Sequence, residues 1–226
     1  MQIMERKSGE SARDYAFRVI KESIVSLKII PGTMVSENEL SLKLGLSRTP
    51  VREALIDLSK SQVVEIYPQK GIYISLIDPK LVEEDRFLRL VLESAIVKTA
   101  CEVATKENLT ALEENLKLQE FYLQNPSPDK LLKLDDEFHE LLFSICKKDR
   151  IYKLMNSMSI HFDRVRSLSL VAIKDIKIVG DHQAILNAIK GRDKEGGEAV
   201  MIKHLSRYKV DDEQLRAEYP RYYKYK

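Results

Sequence analysis

The chain has 226 residues, 44% of them hydrophobic, with 37 Lys and Arg against 35 Asp and Glu. That length suits two domains, each with apolar residues enough for a core, while no apolar run reaches the ~18 residues of a membrane span. The small basic excess lies in residues 1–75, with 11 cations against 9 anions, so a DNA-binding argument must rest on particular residues rather than bulk charge.

The opening stretch MQIMERKSGESARD lacks the apolar centre of a signal peptide, which predicts a cytoplasmic protein with no membrane partner. Cys101 and Cys146 form no CxxC unit and read as buried thiols. Residues 12–28 then place Ala16, Val19, Ile20, Ile24 and Leu27 on one helical face. Ile30-Pro31-Gly32 should end that helix, since proline and glycine do not continue the ladder. Ser36-Glu37-Asn38-Glu39 reads as a capping box in which Ser36 and Glu39 satisfy each other's amides. The short helix it opens should close at Leu44-Gly45 on a left-handed glycine. A third helix follows, capped by Ser47 or Thr49, with Pro50 in its first turn and Val51, Ala54, Leu55 and Leu58 as its buried stripe.

Two short helices joined by a glycine turn are the helix-turn-helix arrangement, the second helix being the reader. Ser47, Arg48, Thr49 and Arg52 gather at the reader's N-terminus. There arginine can bond a guanine edge, and hydroxyls favour phosphate. VVEIYPQKGIYIS then alternates in two apolar runs around Pro68-Gln69-Lys70-Gly71, a hairpin wing with the cation Lys70 at its tip. Each piece alone is ordinary, because a lone surface arginine is by default merely solvated. Their order carries the argument.

In that order PGTMVSENELSLKLGLSRTPVREAL and YPQKGIYIS, within Pro31 to Ser75, resemble the DNA-binding domain of the GntR family of bacterial regulators. The resemblance implies double-stranded operator DNA as the partner, contacted by Ser47, Arg48, Thr49 and Arg52 together with Asn38 on the preceding helix. It also implies that the wing glycine Gly71 approaches the minor groove. One departure is Gln62, which stands after the reader where the family commonly has glycine.

Asp78-Pro79 opens a new helix, with aspartate as cap and proline in the first turn. From there to about Arg216 the periodicity is helical. Breaks near Thr105, at Asn125-Pro126-Ser127-Pro128, near Lys148-Asp149, near Lys174-Asp175 and from Gly191 to Gly197 divide the segment into six helices of one bundle. The expected fold class is mainly α. Residues 1–76 form a winged helix-turn-helix of three helices and a small β-hairpin, and residues 77–226 an all-α domain for effector binding and dimerisation. The tail YPRYYKYK could stack on nucleic acid, but lying on the bundle is the expectation.

Asp135 and His139 are four apart and leave one helical face. His182 and His204 lie on either side of GRDKEGG, which should make their helices an antiparallel pair. Counted from Gly191 and Gly197, they stand ~13 and ~10 Å along those helices at ~1.5 Å per residue, so the two rings can sit level. One carboxylate and three imidazoles suit zinc, nickel or manganese and leave room for water or an oxygen ligand; a lone helical histidine, by contrast, is usually no ligand.

RLVLE, DDEFHELL, DHQAILNAI and MIKHL, within Phe87 to His204, resemble the FCD effector domain of FadR-type GntR regulators. In metal-binding members the ligands are an aspartate, a histidine four residues on and two later histidines, which map onto Asp135, His139, His182 and His204. The resemblance further implies a small organic-acid effector beside the metal and repression as the usual outcome; a homodimer is expected separately, because one reading helix covers only a few base pairs. Arg89 matches an arginine placed to meet such a carboxylate; it reads equally as an i, i+4 partner of Glu93. His161 has no counterpart among the ligands and reads as structural. Two other functions stay open on the residues alone: a metal-dependent hydrolase, and a DNA-binding protein whose helical domain only dimerises. Against the hydrolase stand the lack of a phosphate-cradling glycine loop, of a GxSxG elbow and of a convincing general base.

Overall fold

Ser11 opens the first helix: its hydroxyl accepts the Asp14 amide at 3.0 Å in this computed structural model, which describes residues 1, 3–172 and 177–225. Helix α1 (Ala12–Val25) buries Ala16, Val19, Ile20 and Ile24 completely, as the 3.6-residue spacing demands. It stops short of residue 28 because the chain turns at Leu27, which takes a left-handed φ of 57°. Strand β1 (Met34–Val35) leads into α2 (Glu37–Leu44). Only half of the expected capping box forms there. Ser36 Oγ accepts the Glu39 amide at 3.1 Å, while the Glu39 carboxylate turns away to Lys43 at 2.7 Å.

Gly45 closes α2 at φ 65°, and α3 (Arg48–Lys60) buries Val51, Ala54, Leu55 and Leu58 against α1. Ser47 takes the N-cap position without its side chain bonding an amide, and Thr49 lies inside the helix. Gln62 accepts the left-handed φ of 58° that glycine adopts without strain. The wing gains one strand over the expected hairpin: β1 pairs with β3 (Gly71–Ile74), and β3 with β2 (Val64–Tyr67), both antiparallel. The third strand fits because Gly71, at φ 121°, has no Cβ; one placed there would stand 2.9 Å from the Val35 carbonyl oxygen.

The helical segment holds eight helices among the described residues, against the six expected: α4 (Pro79–Val103), α5 (Lys106–Gln124), α6 (Pro128–Ile145), α7 (Asp149–Met158), α8 (Ile160–Ala172), α9 (Ile178–Lys190), α10 (Lys194–Ser206) and α11 (Tyr208–Glu218). The extra breaks fall at Ser159 and Arg207. At the first, Asp85 of α4 reaches across to accept the amides of His161 and Phe162 at 3.0 and 3.2 Å, a cap supplied from 76 residues away. The break expected at Lys174-Asp175 lies outside the described residues.

Helix α10 begins at Lys194, not near Gly197, because Asp193 caps it by accepting the Gly196 amide at 2.9 Å. Gly197 is therefore a packing residue. A Cβ there would press within 3.3 Å of Val97, which is how α10 lies close along α4. The tail does lie on the bundle: Tyr223 is buried and pairs in parallel with Ile77 of the linker. Cys101 and Cys146 are buried free thiols. Among the described residues no helix is long and apolar enough to cross a membrane.

Candidate metal centre and nucleic-acid interface

Three helices bring the four sequence-derived ligands together. Asp135 and His139 leave one face of α6, His182 comes from α9 and His204 from α10. All four are buried, and one ligand atom from each lies within 4.8 Å of the others. Nε2 of His139 and Nε2 of His204 are 3.2 Å apart. Nε2 of His182 is 3.4 Å from Asp135 Oδ1, and Nε2 of His139 is 4.0 Å from Asp135 Oδ2. A tetrahedral site with bonds of ~2.0–2.1 Å has edges of about 3.4 Å, so these separations suit one ion.

The surroundings decide which ring nitrogen of His182 carries the proton. Gln119 is fully buried; its amide nitrogen donates to Asn115 Oδ1 at 2.6 Å and to the Leu134 carbonyl at 3.4 Å. Its oxygen, an acceptor only, faces His182 Nδ1 at 2.8 Å, which places the His182 proton on Nδ1. Nδ1 of His139 lies 2.5 Å from Glu93 Oε2, close though not well aligned for a hydrogen bond, and Nδ1 of His204 lies 3.9 Å from Asp181 Oδ2. Of the three Nδ1 atoms, that of His182 is hydrogen-bonded, while those of His139 and His204 face carboxylates without a hydrogen bond. The three Nε2 atoms converge beside a carboxylate; those of His139 and His204 lie within hydrogen-bond distance of each other, and that of His182, left with the lone pair, has no hydrogen-bond partner. The cluster can hold a metal ion, and Phe138, stacked on the His182 ring at 4.1 Å, helps keep that ring in place.

The charges agree with this arrangement. Burial alone would raise the Asp135 carboxyl, but Arg166, then His182, His139 and His204, hold it well below the usual range. Burial would likewise raise Glu93, and Arg89 and His139 outweigh it. Burial, with the neighbouring His204, keeps His182 far below the ordinary imidazole value; burial, with His139, lowers His204 to about 3. These two rings are therefore neutral at pH 7, the state in which an imidazole binds metal.

Arg89 is buried, donates from Nε to Glu93 Oε1 at 2.6 Å and covers the Phe162 ring at 5.5 Å. Its i, i+4 pairing is thus real, and it orders the carboxylate that faces His139. Sequence reasoning missed the supporting shell of Gln119, Arg166 and Asp181. Asp181 adjoins His182 and could have been suspected. Gln119 and Arg166 carry no local signal, since α5 and α8 bring them in from elsewhere in the chain.

In the N-terminal segment Asn38, Ser47, Arg48, Thr49, Arg52 and Lys70 are all exposed. Asn38, Ser47 and Arg48 line an open cleft of about 520 Å³ between α2 and the start of α3. The side chain of Arg52 is 68% exposed, with Nε 3.5 Å from Glu37 Oε1. Gly71 is half-buried, and its approach to β1 is a structural reason for glycine independent of any groove.

Residues 13–74 match the bacterial regulatory proteins of the gntR family, and residues 86–207 match the FCD domain. The HTH-type transcriptional repressor RspR of Escherichia coli is 32% identical over 203 residues, covering 89% of each chain. The chain belongs to the GntR family and carries an FCD domain. The gluconate operon transcriptional repressor of Bacillus subtilis is 26% identical over 88% of this regulator and 82% of its own length. The fold of E. coli McbR/YncC matches with a TM-score of 0.79 at 19% identity, over 93% of this regulator and 99% of that chain. The relatives are named as transcription regulators, not enzymes, so the hydrolase alternative falls away.

Proposed function

We propose that this GntR-family regulator is a homodimeric repressor whose operator affinity is set by a metal-linked organic acid. Its reading head is residues 1–76, with Ser47, Arg48, Thr49 and Arg52 at the groove, Asn38 beside them, and Lys70 and Gly71 on the wing. Residues 77–226 form the effector-binding and dimerisation domain. One reader covers only a few base pairs, so a second copy and a two-fold operator are needed for useful specificity. Exposed apolar side chains on α4 (Phe87, Val91) and α7 (Ile151, Leu154, Met158) support a self-association face.

Asp135, His139, His182 and His204 would hold one zinc, nickel or manganese ion per chain. The single observation behind this reading is the convergence of three imidazole Nε2 atoms on one buried carboxylate, that of His182 without a hydrogen-bond partner. A bound ion with an open position supplies a Lewis-acidic seat for an effector carboxylate. Arg89 would be the second anchor, through the terminal nitrogens that its Glu93 bond does not use. The effector changes operator affinity only by binding one arrangement of the two heads better than the other.

The test is elemental analysis of protein purified without chelator, followed by organic-acid titration on an operator selected from random duplexes. About one divalent metal per chain and an acid-dependent change in operator affinity are expected. Protein that stays metal-free when supplied with zinc, nickel and manganese refutes the site. Metal uptake with no acid altering DNA binding leaves a helical domain that only dimerises.

A further inference from the structure

Helix α8 touches both the metal centre and the linker to the reading head, and it does so through two arginines only two residues apart, on opposite faces. Arg166 donates to Asp135 Oδ2, to Asp136 Oδ1 at 2.7 Å and to Asp163 Oδ1 at 2.7 Å. It therefore shares a metal ligand's charge. Arg164 faces the other way and is completely buried. Its guanidinium donates to the backbone carbonyls of Ser75 at 2.6 Å and Leu76 at 3.3 Å, and to His161 Nδ1 at 2.7 Å.

Ser75 is in turn tied to the reading head. Its amide donates to the Val63 carbonyl at 3.1 Å, and its hydroxyl to the Gln62 carbonyl at 2.5 Å, just past the end of the reader helix. Among the described residues no carboxylate is hydrogen-bonded to Arg164, and a buried arginine held by neutral carbonyls is costly to desolvate. Two tighter roles are thereby excluded: Arg164 is neither a surface ion pair nor a ligand of the metal cluster. What it does hold is the point where the wing leaves for the helical domain.

We propose that α8 reports metal occupancy to the reading head, Arg166 sensing the charge on Asp135 and Arg164 passing the response to Ser75 and Leu76. This inference rests on the metal reading of the Asp135 cluster and adds its route of regulation. When Asp135 gives charge to a cation, its attraction for Arg166 weakens. Arg166 then keeps one full-strength partner on α6, Asp136, instead of two, its other partner Asp163 being on α8 itself; α8 is held less firmly to α6, and the grip of Arg164 on the linker relaxes. Interiors are close-packed, so such a change in one helix is passed on as a shift of packed neighbours rather than absorbed.

The test is amide hydrogen exchange on the full chain, stripped with chelator and then loaded with zinc, with zinc uptake measured separately by titration. The amides of Ser75 and Ile77 should exchange at least about fivefold faster with zinc, fivefold being the low end of common coupling between sites. In Arg164→Met, zinc uptake should persist while the zinc-dependent change at these amides disappears. Wild-type protein that binds zinc with unchanged or slower exchange there overturns the relay and leaves the metal site intact. Retention of the full response in a folded Arg164→Met variant also overturns it. Failure of the wild type to bind zinc, nickel or manganese removes the metal reading and the relay together. The wild-type comparison decides the matter even if Arg164→Met does not fold.

Discussion

Replacing Gln119 by leucine isolates the contribution of one supporting hydrogen bond to the metal site. The side chain is wholly buried, and its oxygen fixes the His182 proton on Nδ1 across 2.8 Å. Leucine removes that acceptor. Left unpaired, the buried Nδ1–H would cost ~1–3 kcal/mol. The apo protein can recover part of this by moving the proton to Nε2, which lies 3.4 Å from Asp135 Oδ1. Its stability should therefore fall by about 1 kcal/mol, the low end of that range. A metal faces the opposite situation, because it needs the Nε2 lone pair and must first restore the lost tautomer. Its affinity should drop ~10–100-fold, the usual penalty for deleting such a partner. Zinc titration against a competing chelating dye reads the affinity, and urea unfolding of the apo protein reads the stability. Unchanged zinc affinity in a folded Gln119→Leu variant would refute the tautomer argument.

Three further outcomes follow from the same geometry. Arg48→Ala should weaken binding to a selected operator by ~1–3 kcal/mol and relax preference at one base pair; gel shifts on matched and mismatched duplexes check it, and unchanged affinity removes Arg48 from the interface. Gly71→Ala should lower stability by ~1–3 kcal/mol, since the new Cβ would meet the Val35 carbonyl oxygen at 2.9 Å on a backbone at φ 121°; a melting temperature equal to that of the wild type argues against this close approach. Burial raises Asp85 from its ordinary 3.8 to about 7, against the pull of the α8 amides. A raised folded value means that the carboxyl's contribution is full below pH ~4 and lost as pH climbs through about 7. Asp85→Asn, which keeps an oxygen to cap α8, should therefore gain stability relative to wild type between pH 4 and pH 8, and urea unfolding at the two ends shows whether it does.

The amino-acid sequence by itself determined the local elements. Pro, Gly and capping residues act within a few positions of themselves, and the 3.6-residue stripe of Val51, Ala54, Leu55 and Leu58 acts through a single helix. The reader, the wing tip and the Asp135–His139 pair were legible for that reason. Convergence of His182 and His204 could be inferred because one short link joins their helices, although the link was placed wrongly: Gly197 lies inside α10, where it lets that helix lie against α4. Only the tertiary structure decided the rest. The break between α7 and α8 depends on Asp85, the tautomer of His182 on Gln119, and the charge on Asp135 on Arg166. Each partner comes from 31 to 76 residues away. At such separations chain packing, not local propensity, sets which side chains meet, and the desolvation that makes their hydrogen bonds decisive exists only once the bundle has closed.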